Sequence, residues 1–156
     1  MPRKSSPEKR HPDPDPVFGS ELISRFVNCM MLGGKKSTAR RVFYSALERV
    51  ADQTNDNPLD VFEKAMRNVT PRVEVRPRRV GGATYQVPVD VREDRKIALA
   101  IRWMIRYARE RSGRSMRDKL AAEIIDASNN TGGACRRRDE MHKTAEANRA
   151  FSQYRW

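Results

Sequence analysis

Between residues 72 and 91 the apolar period of the chain changes from that of a helix to that of a strand. No other feature constrains the fold as much. Val73 and Val75 alternate with Arg72, Glu74 and Arg76; beyond Gly81-Gly82, Tyr85, Val87, Val89 and Val91 alternate with Gln86, Pro88 and Asp90. A period of two, interrupted by a glycine pair, predicts a β-hairpin. Pro77 and Pro88 supply no ladder donor, so the hairpin is a free ribbon or an edge. Such a ribbon is marginal alone in water and must lean on helices or on a partner.

The flanking sequence has helical spacing. Leu22, Ile23, Phe26, Val27, Met30 and Met31 predict a first helix over 20–32, with Ser20 as its cap and Gly33-Gly34 as its stop. Ala39, Val42, Phe43, Ala46, Leu47 and Val50 predict a second over 37–53. Asn57-Pro58 opens a third, which ends before Thr70-Pro71. A fourth spans 91–111, with Asp90 and Glu93 in capping-box-like positions. A fifth starts at Ser115, with Asp118 three residues on, and stops at Asn129-Asn130-Thr131-Gly132-Gly133. A sixth covers 137–148. The expected fold is mainly α: a bundle of about six helices with a protruding two-stranded β-hairpin between helices three and four. A basic, proline-rich arm over 1–16 precedes a single helical domain over 17–148, and a short tail over 149–156 follows.

Charge narrows the partner. The chain carries 32 Lys+Arg against 20 Asp+Glu, a formal net charge of +12. Arginine outnumbers lysine 24 to 8. Lysine suffices for solubility, whereas arginine adds a planar fork for phosphate and a face that stacks on bases. Nucleic acid is the first partner class these numbers imply, and an anionic membrane surface the second. No apolar run approaches the roughly 18 residues of a membrane span. With two cysteines and no apolar leader segment, the expected compartment is the cytoplasm.

The basic residues fall into sites. At ~100° per residue, Arg95, Arg102, Arg106 and Arg109 form one stripe on helix four, opposite Ile97, Ile101, Met104, Ile105 and Ala108, and no acid stands between Arg95 and Arg109. Trp103 borders this rail, either as a stacking platform for a base or as a core residue. Gly33-Gly34-Lys35-Lys36-Ser37 opens helix two as a basic turn whose free N–H groups suit a backbone phosphate. Arg76, Arg78 and Arg79 lead into Gly81-Gly82 at the ribbon tip, where glycine permits positive φ and close approach. Arg114 lies between helices four and five with Arg111 and Arg117 near it. Arg3, Lys4 and Arg10 make the arm basic; it is either a solvated terminus or a segment that orders on RNA. Arg136-Arg137-Arg138, at the expected start of helix six, face either RNA or protein.

Catalytic patterns are missing. The Gly-Lys turn lacks the first Walker glycine, since Cys29 stands there, and has Lys36 in place of Ser or Thr. His11 and His142 are far apart, and Cys135 with His142 matches no zinc spacing. No enzyme activity, cofactor or metal is expected.

Four segments carry a family likeness: GGKKSTARRVFYSALE, NVTPRVEVRPRRVGGATYQVPVDV, ALAIRWMI and HKTAEANRAFSQYRW. They resemble bacterial small-subunit ribosomal protein seven, in unchanged order from about residue 14. Ser152-Gln153 stands where that family commonly has Ala-His. The resemblance implies a helical fold with a β-ribbon and primary binding to the 3′ major domain of 16S ribosomal RNA. It implies nucleation of the head of the small subunit, and a place at the subunit interface near exit-site tRNA and mRNA. Small-subunit proteins nine and eleven are the implied neighbours. The residues it carries over are Lys35, Lys36, Arg76, Arg78, Arg79, Arg95, Arg102 and Arg114. The rival expectation is a DNA-architectural protein whose β-ribbon enters a groove.

Overall fold

The computed structural model describes residues 11–154. Among them six α-helices and one β-hairpin appear in the order α1 (Glu21–Met30), α2 (Lys36–Thr54), α3 (Pro58–Val69), β1 (Val73–Val80), β2 (Ala83–Asp90), α4 (Glu93–Glu110), α5 (Met116–Ser128) and α6 (Gly132–Ala147), followed by a 3-10 turn, Arg149–Tyr154. The expected mainly α architecture with a hairpin between the third and fourth helices is what forms.

The core begins with a triangle of rings. Phe26 of α1, Phe43 of α2 and Phe62 of α3 are fully buried, with centroids 5.2–5.3 Å apart. Edge-to-face contact at this spacing suits the aromatic quadrupole. Through Leu120, Ala121, Ile124 and Ala127, α5 runs down the centre and touches α2, α3, α4 and α6. Trp103 is 6% exposed and belongs to this core. The border position on α4 faces inward, so its ring is not a stacking platform.

Local signals hold at several element ends. The Asn57 side chain accepts from the Leu59 N–H at 3.1 Å, with Pro58 in the first turn of α3. The Ser115 hydroxyl accepts from the Asp118 N–H at 3.3 Å to open α5. β1 and β2 pair antiparallel through the two-residue Gly81-Gly82 turn, both at positive φ (58° and 88°). No third strand joins them among the described residues.

Two expectations fail. Asp90 does not open α4: it is the last residue of β2, opposite Val73, and Arg92 occupies the cap position with no side-chain cap hydrogen bond. Helix α6 starts at Gly132, five residues before the expected Arg137. Its opening N–H, that of Ala134, is held at 2.8 Å by Oε1 of Glu123, a side chain of α5 that is 1% exposed. Gly133 fits there because a Cβ would lie 2.6 Å from the Tyr107 ring. A cap supplied from another helix leaves no local pattern, and the glycine pair reads as a stop. On β1 the buried side chain is Glu74, whereas Val73 and Val75 are only half-buried. Asp15, expected in the arm, is also buried: it accepts from the Tyr44 hydroxyl at 2.8 Å and from the Val17 and Phe18 N–H groups. Burial and this carboxylate push the Tyr44 hydroxyl up to about 12.

Candidate nucleic-acid interface

A cation already paired with a carboxylate of its own chain has less charge to offer a phosphate, and on that criterion the basic residues divide. Arg95 donates from Nε to Oε2 of Glu74 at 2.7 Å, and Arg76 donates from Nε to Oε1 of the same carboxylate at 2.6 Å. Burial opposes ionisation of Glu74, but the hydrogen bonds and charges of Arg95 and Arg76 prevail and hold its carboxyl below the usual glutamate range. Arg106 donates to Glu110 at 2.8 Å. The arginine rail is therefore not uniformly free. No acid interrupts it within the helix, but one reaches it from β1 and another from the next turn of α4. Arg102 is exposed and holds no carboxylate, and Arg109 donates to the Met30 carbonyl at 3.0 Å.

Arg111 belongs to the fold. It donates from Nε to Glu123 at 2.6 Å and from Nη2 to Asp126, and so completes the partners of the carboxylate that caps α6. The 136–138 triplet lies in the first half of α6, and its members differ. Arg138 ties α6 to α3 through the Asn68 carbonyl and also donates to the Asn130 side chain at 2.8 Å. Arg137 pairs with Glu140 and Arg136 bonds the Gly132 carbonyl.

Four cations that hold no carboxylate converge. Lys35 at the cap of α2, Arg109 at the end of α4, Arg114 in the α4–α5 loop and Lys119 of α5 rim an open cleft of about 470 Å³. Its floor is apolar, including Met30, Val42 and Met116, and no acid lines it among the described residues. Leu32, 68% exposed, stands at its edge. The first turn of α2 carries neither an acidic residue nor a side-chain cap. Lys36 is exposed beside it. Three of these cations belong to sites read from the sequence; Lys119 was missed. It is a single lysine on a helix whose inner face is apolar, and only the approach of α2 and the α4–α5 loop gives it company.

The second free group is the ribbon tip. Arg78 and Arg79 are exposed and hold no carboxylate, and Gly81 and Gly82 stand open, with nothing within 4 Å of a built Cβ. Arg3, Lys4 and Arg10 lie outside the described residues. Among the described residues no group of three His, Cys, Asp or Glu side chains is placed to hold a metal ion, and no helix is long and apolar enough to cross a membrane.

Comparison with known proteins gives this cationic geometry its family. The profile described as Ribosomal protein S7p/S5e matches residues 2–149. The chain belongs to the ribosomal protein S7p/S5e family. It is 58% identical over 156 residues to the small ribosomal subunit protein uS7 of Thermomicrobium roseum, with both chains fully covered. It is 55% identical, with the same coverage, to the uS7 proteins of Thermoanaerobacter sp. and Natranaerobius thermophilus. Members of the S7p/S5e family are structural constituents of ribosomes and not catalysts.

Proposed function

We propose that this S7p/S5e protein is a primary binder of the 3′ major domain of 16S ribosomal RNA and nucleates the head of the small subunit in the cytoplasm. The observation that carries this reading is the cleft: four cations from four segments ring one opening, and no acid lines it among the described residues. Phosphates close to one another in a folded RNA suit such a ring better than a single extended strand does. Arg78 and Arg79 on the ribbon extend the contact, and Arg102 on α4 adds a further free cation. The basic arm over 1–16, with Arg3, Lys4 and Arg10, adds a flanking contact to the body over 17–148. The protein binds the assembled junction better than its open alternatives, and that difference in affinity drives the RNA to fold. Placement near exit-site tRNA and mRNA, and beside small-subunit proteins nine and eleven, is the finer part of the proposal and rests on family likeness.

Binding of the full chain to a 3′ major-domain transcript tests it. If roughly 6–10 phosphates are contacted, affinity falls about 10³–10⁵-fold between 50 and 200 mM salt. The double variant Lys35→Glu, Arg114→Glu lowers the log–log salt slope by about 2, one for each lost phosphate contact. An unchanged slope with unchanged helicity removes the cleft from the interface. Equal affinity for duplex DNA favours the groove-binding alternative, and binding to anionic vesicles favours a membrane surface.

A further inference from the structure

Besides Val87, wholly buried midway along β2, the ribbon is held near its root and towards its tip. At the root, the Arg72 N–H donates to Nε2 of His142 at 3.0 Å, and Arg95 of α4 grips Glu74. Towards the tip, the Tyr85 ring stacks on Tyr154 with centroids 5.1 Å apart and planes 30° from parallel, and meets Phe151 at 5.2 Å. Both partners belong to the 3-10 turn Arg149–Tyr154, which the Phe151 N–H starts by donating to the Asn148 carbonyl at 3.0 Å. Tyr85 is two residues beyond Ala83, so at about 3.4 Å per residue the stack engages the outer half of the ribbon. Its direct cross-strand partner is Arg78. Residues opposite one another share a face, so the stack lies beside the free arginine of the tip.

We propose that the 3-10 turn is a brace, and that Tyr85, Phe151 and Tyr154 are positioning residues which hold Arg78 and Arg79 at a set angle to the helical body. A two-stranded ribbon anchored only at its root has little stability of its own and pivots there. A second anchor near the tip fixes the arginines before any partner arrives, and binding then loses less conformational freedom. The effect on affinity rests on the RNA-binding reading above; the brace itself does not.

The test uses the full chain and two measurements. Hydrogen exchange of the ribbon amides in the free protein reads the brace, and affinity for a 3′ major-domain transcript reads its use. Phe151→Ala speeds ribbon exchange roughly 2–10-fold, the loss of one aromatic pair; Tyr85→Ala, which loses two, speeds it further, and both leave the α5 amides unchanged. Affinity falls by a similar factor, and Tyr85→Phe restores both. In an Arg78→Ala, Arg79→Ala background, Tyr85→Ala costs no further affinity, which separates positioning from general destabilisation. Ribbon exchange that stays at the wild-type rate in both variants overturns the brace. Faster exchange with unchanged affinity overturns its positioning role. If the wild-type chain does not prefer the transcript to duplex DNA, the RNA reading fails, and the brace is judged on exchange alone. Phe151→Ala serves where Tyr85→Ala folds poorly, because Phe151 lies outside the buried core.

Discussion

The cleft stands on helix ends: Lys35 precedes α2, Arg109 closes α4 and Arg114 precedes α5, whose Leu120 and Ile124 are wholly buried. The ribbon reaches away from that body; besides the wholly buried Val87, it is held by one carboxylate, one imidazole and three rings. Both present free cations, but the cleft's geometry derives from apolar packing, whereas polar and aromatic contacts share in fixing the ribbon's. Apolar packing carries no titrating group, whereas a carboxylate and an imidazole titrate. Positive charge on a helix end is therefore rigid, and positive charge on a ribbon is adjustable.

The sharpest way to break this comparison is to remove the shared foundation. Phe43→Ala, at the centre of the ring triangle, costs about 3–5 kcal/mol in chemical denaturation and disorders the cleft before the ribbon contacts are touched. Next is Glu74→Gln. The amide retains one acceptor for two guanidiniums, so the root loses a charge-assisted hydrogen bond worth about 1.5–3 kcal/mol. Exchange of ribbon amides accelerates while those of α5 hold. Equal acceleration in both regions means that the ribbon and the body open together.

The smallest effect comes from acid. Burial, Arg138 and Arg72 depress the His142 imidazole below its ordinary value, and Asp139 offsets this in part. The neutral ring is the form that accepts the Arg72 N–H. A depressed folded value means that its contribution is complete above about 6.5, the unfolded value, and is lost as pH falls through the folded one. Glu74 is also depressed, so its contribution goes in a later window, below about 4.3. Amide exchange across pH 7 to 3, corrected for intrinsic rates, should show the ribbon root loosening in two steps. No carboxylate or imidazole lines the cleft, so its neighbouring helix amides show neither step.

The parts legible in the sequence were those written in neighbouring residues. Asn57-Pro58 announced α3, Ser115 with Asp118 announced α5, and the Gly81-Gly82 pair with flanking alternation announced the ribbon. The start of α6 was not legible, because its cap, Glu123, sits a helix away and is drawn in by burial and Arg111. Trp103 stood at the border of two faces, and only the arrangement of the surrounding helices sent it inward. The candidate interface divided in the same way. Lys35, Arg78, Arg79, Arg109 and Arg114 could be picked out as basic positions, but nothing near Arg95 in the chain announced that it would close on Glu74, which Arg76 meets from two residues away on the same strand.

The sequence by itself determined where helices and the ribbon form and that the molecule carries a large positive excess. Hydrophobic period, capping chemistry and glycine at positive φ act over a few residues, and net charge needs no geometry. The tertiary structure alone decided which cations remain available. A salt bridge depends on distance through space, and the acids that pair with Arg95 and Arg111 reach them because the fold brings β1 to α4 and α5 to the end of α4.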